Sequence, residues 1–490
     1  MEIVRTIRKY RFWFELLLLA GLVFAFRLYV TMPVENSGDS FVKWYEAKRL
    51  AHGLDYSRLD HHTMRWGINF LSLFFQKIFG TQASTYYLPS AFAATLAALF
   101  VFLIGTQLQG RTLGIMALLL FCFHPSIIVA GSQLFPGIFS TCYSFGAIYF
   151  LLLYTHSTQE KTYYLVISSI FLLCAYGSKM TSLFFLPAFV IYLVWTTRRL
   201  RPLVLYLGIL FFGVLLETLI IDTIIGDYTM FGRLALAGGH LNIMETGIAG
   251  EKSLWGIVTR WHMLPNSTYL PAIVSFFLAF YCINNRNNFP KDFFIALCLI
   301  SFTFFLTFSL CGVKPIHFLL PHTPRYINIT IPLSLLLCLS FSGKLGGKRY
   351  IFVAFVLLAL PSILALNREL RSPLNRKFYQ IDNFQKEVMT YLDKGYAFLF
   401  LDPRNARLYR AMFVADRAAM GIETADQVRI YNVPPGATRF NPGPAIYLLT
   451  LKKDQITAGI VRPYPGEYRL AVERFTPGNL TLQSNWDLSW

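Results

Sequence analysis

The chain is written in long apolar runs separated by short polar connections. The runs lie near 13–31, 84–105, 112–130, 135–154, 163–178, 181–196, 203–222, 269–283, 293–311, 326–342 and 350–366. A hydrocarbon core about 30 Å thick takes roughly 20 residues of helix, and fewer where a helix is broken or shielded by protein. The pattern therefore predicts about eleven transmembrane helices. Alternate connections hold Arg111, then Lys161, then Arg198 with Arg199 and Arg201, then Arg286 with Lys291, then Lys344 with Lys348 and Arg349. Together with Arg5, Arg8, Lys9 and Arg11 at the N-terminus they mark the cytoplasmic side, because short cytoplasmic loops collect Lys and Arg. An odd number of spans puts the tail on the other face. So do the long connections 32–83 and 223–268 and the short ones Gly131–Pro136, Gly177–Lys179 and Gly312–Arg325.

Two regions depart from this pattern. Within 32–83, Phe41 to Leu50 is amphipathic, with Phe41, Trp44, Tyr45 and Leu50 near one face, and a second amphipathic stretch runs on to Gly80. Such segments suit helices lying along the membrane surface. Beyond residue 366 the tail alternates short apolar runs (Tyr396–Leu401, Gln427–Tyr431, Ala445–Leu451, Tyr468–Arg474) with a helical stretch around Arg404–Ala418. Turn signals at Pro434-Pro435-Gly436 and Pro477-Gly478 separate them. The expected fold is a polytopic α-helical membrane protein. It comprises a transmembrane module over 1–366, outer juxtamembrane helices, and a small extracytoplasmic α/β soluble domain over 367–490. Phe24-Ala25-Phe26-Arg27 offers no small-x-small cleavage site, so the first helix is expected to be retained.

Composition sharpens this division. Charged residues make up 14% of the 490, against about 25% in a soluble domain. Residues 1–366 carry 27 Lys and Arg against 14 Asp and Glu, and residues 367–490 carry 17 against 12. The net charge of +18 on so apolar a body points to anionic lipid headgroups or phosphorylated substrates as partners, not nucleic acid. The seven cysteines all lie in or beside apolar runs, which excludes a disulfide framework and metal-ligand spacing.

Candidate chemistry gathers on the predicted outer face. Gly38-Asp39 follows the first span and precedes the amphipathic run. Asp39 reads as a helix N-cap, or as a carboxylate placed to take a proton from a hydroxyl or to hold a divalent cation such as Mg or Mn. Asp60-His61-His62 and Arg65-Trp66-Gly67 follow in the same loop. Lys179 falls between two short spans. Burying an unpaired lysine at that depth is costly, which favours a functional role over snorkelling to the headgroups. His61, His62, His262, His317 and His322 all fall outside, but no His-x-x-x-His or Cys pair accompanies them, so hydrogen bonding to phosphate or sugar is favoured over zinc. The connection 223–268 contains seven glycines, as a lid over a site would need.

The order of these features resembles the GT-C glycosyltransferases, membrane enzymes that use polyprenyl-phosphate sugars, such as the protein O-mannosyltransferases and the aminoarabinose transferases of lipid A. The likeness is carried by the Gly38-Asp39-aromatic helix, by the His-containing turn with its second juxtamembrane helix, by Tyr176-Gly177-Ser178-Lys179 leading to Pro187, and by His317 to Tyr326 before an apolar helix. The resemblance implies an inverting transfer of sugar from a polyprenyl-phosphate donor to a glycan, lipid or protein acceptor hydroxyl on the outer face. A bacterial inner membrane is the expected location. Asp39 matches the family's catalytic acid, with Asp60, His61 and His62 beside it. Lys179, Arg325, Tyr326, His322 and Arg65 are the candidate donor-phosphate residues. Two departures stand out. Ser132 to Gly137 occupies a turn where many members have Pro-Asp or Pro-Glu, leaving Glu35, Asp55 or Asp60 as substitutes for that acid. The His-Pro-Asp-Glu sequence of the endoplasmic-reticulum mannosyltransferase branch is missing too, which argues against that branch. The rival readings are a lipid-linked glycan polymerase or ligase, which rests on outer-loop Arg and His, and a flippase or transporter, which predicts paired repeats that this chain lacks.

Overall fold

The computed structural model describes residues 2–30, 39–53, 64–81, 83–156, 161–225, 266–308, 310–313, 316–318 and 328–370, and the strand residues 396–400, 428–430, 446–452, 455–461 and 472–475. The chain divides into two compact units, one of residues 1–31, 59–68 and 90–371, the other of 32–58, 69–89 and 372–490. The elements relevant to function are α1 (Glu2–Tyr29), α2 (Asp39–Ala51), α3 (Trp66–Phe79), α4 (Leu88–Gln109), α5 (Arg111–Phe123), α6 (Pro125–Gly131), α7 (Pro136–His156), α8 (Thr162–Ser178), α9 (Leu186–Thr197), α10 (Leu200–Ile225), α11 (Asn266–Asn284), α12 (Pro290–Phe308) and α13 (Thr330–Leu370). A 3-10 turn, Met180–Phe185, joins α8 to α9.

Every apolar run meets a helix, but the expected eleven spans are not reached. Among the described residues seven helices are long and apolar enough to cross a membrane, or eight if α5 and α6 form one span. The difference has local causes. His124 is extended (φ −71°, ψ 123°) ahead of Pro125, and the pair α5–α6 bends by 69° there. Proline lacks the N–H a continuing helix needs and keeps the preceding residue out of the α region. Two more apolar helices, Thr162–Ser178 and Pro271–Asn284, are shorter than a full span. The last two runs are joined in α13 and are separated only by non-helical Gly346 and Gly347. Gly347 sits at φ 66°, ψ −151°, a region open to glycine almost alone.

Lipid offers apolar helices no hydrophobic reason to associate, so close packing and buried hydrogen bonds hold the larger unit. Tyr192 of α9 stacks on Phe294 of α12 at 4.2 Å, and Phe185 on Phe302 at 4.8 Å. The Ser168 hydroxyl donates to the Ala147 carbonyl at 2.8 Å, joining α8 to α7, and Ser275 meets Ser334 at 2.9 Å, joining α11 to α13. Arg27, near the end of α1, is buried and donates to the Phe121 carbonyl at 3.5 Å while lying over the Phe26 and Phe121 rings. That contact ties the first helix to the α5–α6 break.

A second polar cluster ties α4, α12 and α13. Asp292 is buried, accepts from the Ser340 hydroxyl and pairs with Lys344, which also lies over the Phe289 ring. The Gln109 amide donates to the Ser340 carbonyl, and Lys291 donates to the Gln107 carbonyl at 2.7 Å.

In the smaller unit, the amphipathic run is α2. Its buried face is less apolar than the sequence pattern implies. Trp44 is buried, but so are Lys43, Glu46 and Lys48. The Lys48 ammonium sits 5.0 Å from the Trp44 ring centre, and Tyr86 meets that ring edge-on. An aromatic face attracts a cation, and lysine's methylene stem packs as an apolar group, so a face of mixed composition is covered. Gln76 of α3 donates to the Trp44 carbonyl at 3.2 Å, and Lys77 donates to the Ala51 carbonyl. The outward side of α3 presents Phe70, Phe74 and Ile78 at i, i+4 and i+8, as an interfacial helix does.

The tail holds a five-stranded sheet, β3 (Tyr396–Phe400), β4 (Val428–Ile430), β5 (Ile446–Lys452), β6 (Gln455–Val461) and β7 (Val472–Phe475), in the order β4-β3-β5-β6-β7. Only β3–β4 is parallel. A short hairpin, β1 (Leu310–Val313) and β2 (Ile316–Phe318), precedes α13. The helical stretch expected around 404–418 lies outside the described residues.

Candidate functional site

The described candidate residues with polar surroundings in the larger unit converge where α8 breaks. Lys179 is extended (φ −156°, ψ 116°), and its N–H closes α8 on the Ala175 carbonyl at 2.8 Å. Its own carbonyl accepts from the Ser182 N–H at 2.9 Å and so starts the 3-10 turn. The Ser182 hydroxyl donates to the Ala175 carbonyl at 3.0 Å and lies 2.6 Å from that of Ser140 on α7. The backbone reversal at Lys179 is thus pinned from both sides, and its side chain is held half-exposed at the end of an apolar helix.

The start of α3 packs into this break. A Cβ on Gly177 would lie 2.2 Å from the Trp66 ring, and one on Gly67 would lie 2.4 Å from the Ser178 hydroxyl. Only glycine at both positions lets the two chain segments approach this closely. The Tyr143 hydroxyl donates to the Gly67 carbonyl at 3.0 Å. From α10, Glu217 accepts the Trp66 indole N–H at 2.7 Å. Arg65 precedes Trp66 and Lys179 follows Ser178, so the two cations flank one contact, and both are half-exposed. A pair of cations carried on fixed backbone is suited to hold an anion such as a phosphate.

Asp39 belongs to the other unit, where it is the first residue of α2. Asp60, His61, His62, His322, Arg325 and Tyr326 lie outside the described residues, as do Glu35, Asp55 and the connection 226–265. Among the described residues no group of three His, Cys, Asp or Glu could hold a metal ion. Glu217 and Trp66 were not singled out in the sequence, although an acid in the middle of the apolar run 203–222 is a signal by itself.

Residues 66–221 match the family described as dolichyl-phosphate-mannose-protein mannosyltransferase. The matched segment contains Trp66, Gly177, Lys179 and Glu217. No curated protein matches the chain. Among solved structures, it is similar to ArnT from Cupriavidus metallidurans in the apo state, with 16% identity and a TM-score of 0.49 over 84% of this chain and 75% of that one. The oligosaccharyltransferase of Archaeoglobus fulgidus in complex with Zn and sulfate gives 12% identity and a TM-score of 0.45 over 72% of this chain. The same archaeal enzyme, AglB, with an inhibitory peptide and a dolichol-phosphate gives 12% and 0.43 over 75%. The chain spans about half the length of the archaeal enzyme, 52% and 56% in these two structures. The family likeness therefore rests on residues 66–221, the segment that carries the corner of Trp66, Gly177, Lys179 and Glu217.

Proposed function

We propose that the chain transfers a sugar from a polyprenyl-phosphate donor to an acceptor hydroxyl of a glycan, lipid or protein, with inversion, on the outer face of the membrane. The observation that carries this reading is the pair Arg65 and Lys179, which flank one glycine-lined contact at the edge of an apolar body. The matched family acts on a lipid-phosphate sugar by its description. A polyprenyl-phosphate sugar is an anion on a long apolar tail, and a half-exposed cation pair at the end of membrane helices suits both parts.

In the proposed reaction the acceptor hydroxyl oxygen attacks the anomeric carbon. The bond from that carbon to the phosphate oxygen breaks, and its electron pair leaves with polyprenyl phosphate. The acceptor proton passes to the Asp39 carboxylate, with Asp60, His61 and His62 as the remaining acid–base candidates of the loop. Lys179 and Arg65, with Arg325, Tyr326 and His322, take the growing charge on the leaving phosphate. A Mg or Mn ion at Asp39 is an addition to this scheme that no step requires. The reading further takes the eleven apolar runs as crossings, with Lys9, Arg199 and Lys348 cytoplasmic and a separate domain over 367–490 outside.

The test is transfer of labelled sugar from synthetic polyprenyl-phosphate sugars to membrane lipid, glycan or peptide acceptors by the purified protein. Labelled product that is lost with Asp39→Asn is expected. Impermeant-thiol labelling of cysteines introduced at positions 39, 179 and in the tail is expected from outside the cell. Tail labelling only after the membrane is opened would sink the sidedness and the outer-face reaction.

A further inference from the structure

Glu217 sits in Leu200–Thr223, a strongly apolar candidate span, and its side chain is buried. A carboxylate in that setting is expensive and calls for a role. Among its contacts is Trp66, whose indole N–H it accepts at 2.7 Å across 151 residues of sequence. The other side of the Trp66 ring rests where Gly177 has no side chain. The ring is therefore fixed twice, by contact with α8 and by a charge-assisted hydrogen bond to α10. Trp66 is bonded to Arg65, and Gly177 lies two residues before Lys179. Holding the ring therefore sets the backbone from which the Arg65 side chain departs, relative to the break that carries Lys179. The Tyr143 hydroxyl on the Gly67 carbonyl restrains the next peptide along.

We infer that Glu217 is a positioning residue for the donor-phosphate site, acting through Trp66 to hold Arg65 against the Lys179 break. The inference rests on the proposal that Arg65 and Lys179 bind the carrier phosphate. An acid is suited to this task because the indole N–H is a donor only and a charged acceptor grips it about twice as strongly as a neutral one. A glutamine keeps an acceptor oxygen at the same reach, and a leucine keeps the bulk without one.

The test is binding of undecaprenyl monophosphate to the detergent-solubilised full chain, with undecaprenol as the uncharged control. Glu217→Leu and Trp66→Phe should each weaken phosphate binding at least fivefold. Glu217→Gln should stay within twofold of the unmodified protein. Glu217→Leu combined with Trp66→Phe should be no weaker than the poorer single variant, because both remove one hydrogen bond. A merely structural role predicts neither the glutamine rescue nor that non-additivity. Should Glu217→Leu fail to fold, Trp66→Phe decides alone, since it removes the same bond and keeps the ring. Wild-type binding by Trp66→Phe, or effects that multiply in the double variant, would overturn the inference while leaving the phosphate site standing. Wild-type binding by both Arg65→Ala and Lys179→Ala would overturn the phosphate site itself, and the role of Glu217 with it.

Discussion

Two polar clusters interrupt the apolar body of the larger unit, and they are built on opposite principles. The cluster of Asp292, Ser340, Lys344, Gln109 and Lys291 is closed, in that its acid, cations and amide are spent on one another and on backbone carbonyls. The corner of Arg65, Trp66, Gly177, Lys179 and Glu217 is partly exposed. Its hydrogen bonds fix the backbone and the indole, while the two cations stay half-exposed. The clusters also lie at different levels of α7. Tyr143 serves the corner, whereas His156 meets Tyr192, which stacks on Phe294 beside Asp292. Thirteen residues of helix separate Tyr143 from His156, about 20 Å at 1.5 Å per residue. A closed cluster holds helices together. A partly exposed one sets its charge at the surface.

Substitutions should therefore split the two by what they damage. The largest effect is expected from Asp292→Leu, which strands Lys344 beside an apolar wall. It should cost about 3 kcal/mol of stability, the low end for breaking a buried pair because Lys344 keeps some exposure. That loss is read as a lower thermal midpoint in detergent, and donor binding per folded molecule should not change. Weakened donor binding by a well-folded Asp292→Leu would break the comparison.

Next comes the chemistry itself. Asp39→Asn keeps helix-capping ability, since Asn caps about as well as Asp, and removes the base. Transfer should slow by at least ~100-fold with unchanged donor binding and thermal midpoint. Near-normal transfer would reduce Asp39 to a cap. If transfer is instead lost in Asp60→Asn, the mechanism moves to Asp60-His61-His62.

Lys179→Ala should weaken donor use by about 1.5–3 kcal/mol, the usual range for a charge-assisted hydrogen bond, roughly 10- to 150-fold in Kd. Its thermal midpoint should fall less than that of Asp292→Leu, because the backbone contacts at Lys179 do not depend on the side chain. The smallest effect belongs to Ser340→Ala, which removes one hydrogen bond to Asp292 and should cost about 1 kcal/mol of stability, with transfer intact. A Ser340→Ala that folds as well as the unmodified protein but transfers poorly would show that the closed cluster is not closed.

Much of the corner was legible in the sequence. Lys179 stood out because it falls between two short apolar runs, where burying an unpaired lysine is costly. The apolar runs located every candidate membrane helix among the described residues, since burial in lipid leaves the backbone little choice but to bond within itself. What local reading missed depends on distant partners. Nothing near Glu217 names Trp66, and nothing near Trp44 says that Lys43 and Lys48 will be buried beside it. The span count is met only to seven or eight among the described residues, because Pro125 bends one run and two other apolar helices are shorter than a full span, while non-helical Gly346-Gly347 is all that separates the last two runs. Both signals were visible, but their effect on the path of the chain was not.

The buried contact between Arg27 and the Phe121 carbonyl has a consequence for how the protein is made. The two residues are 94 positions apart, and ribosomes add about 5–20 residues per second. For roughly 5–20 s after the first helix emerges, its guanidinium has no carbonyl to meet and must reach up to the lipid headgroups. The N-terminal helix therefore enters the bilayer provisionally and takes its final seat only after the fifth helix has been synthesised. Nascent chains arrested before residue 121 should hold that helix loosely enough for an insertase or a quality-control protease to capture it.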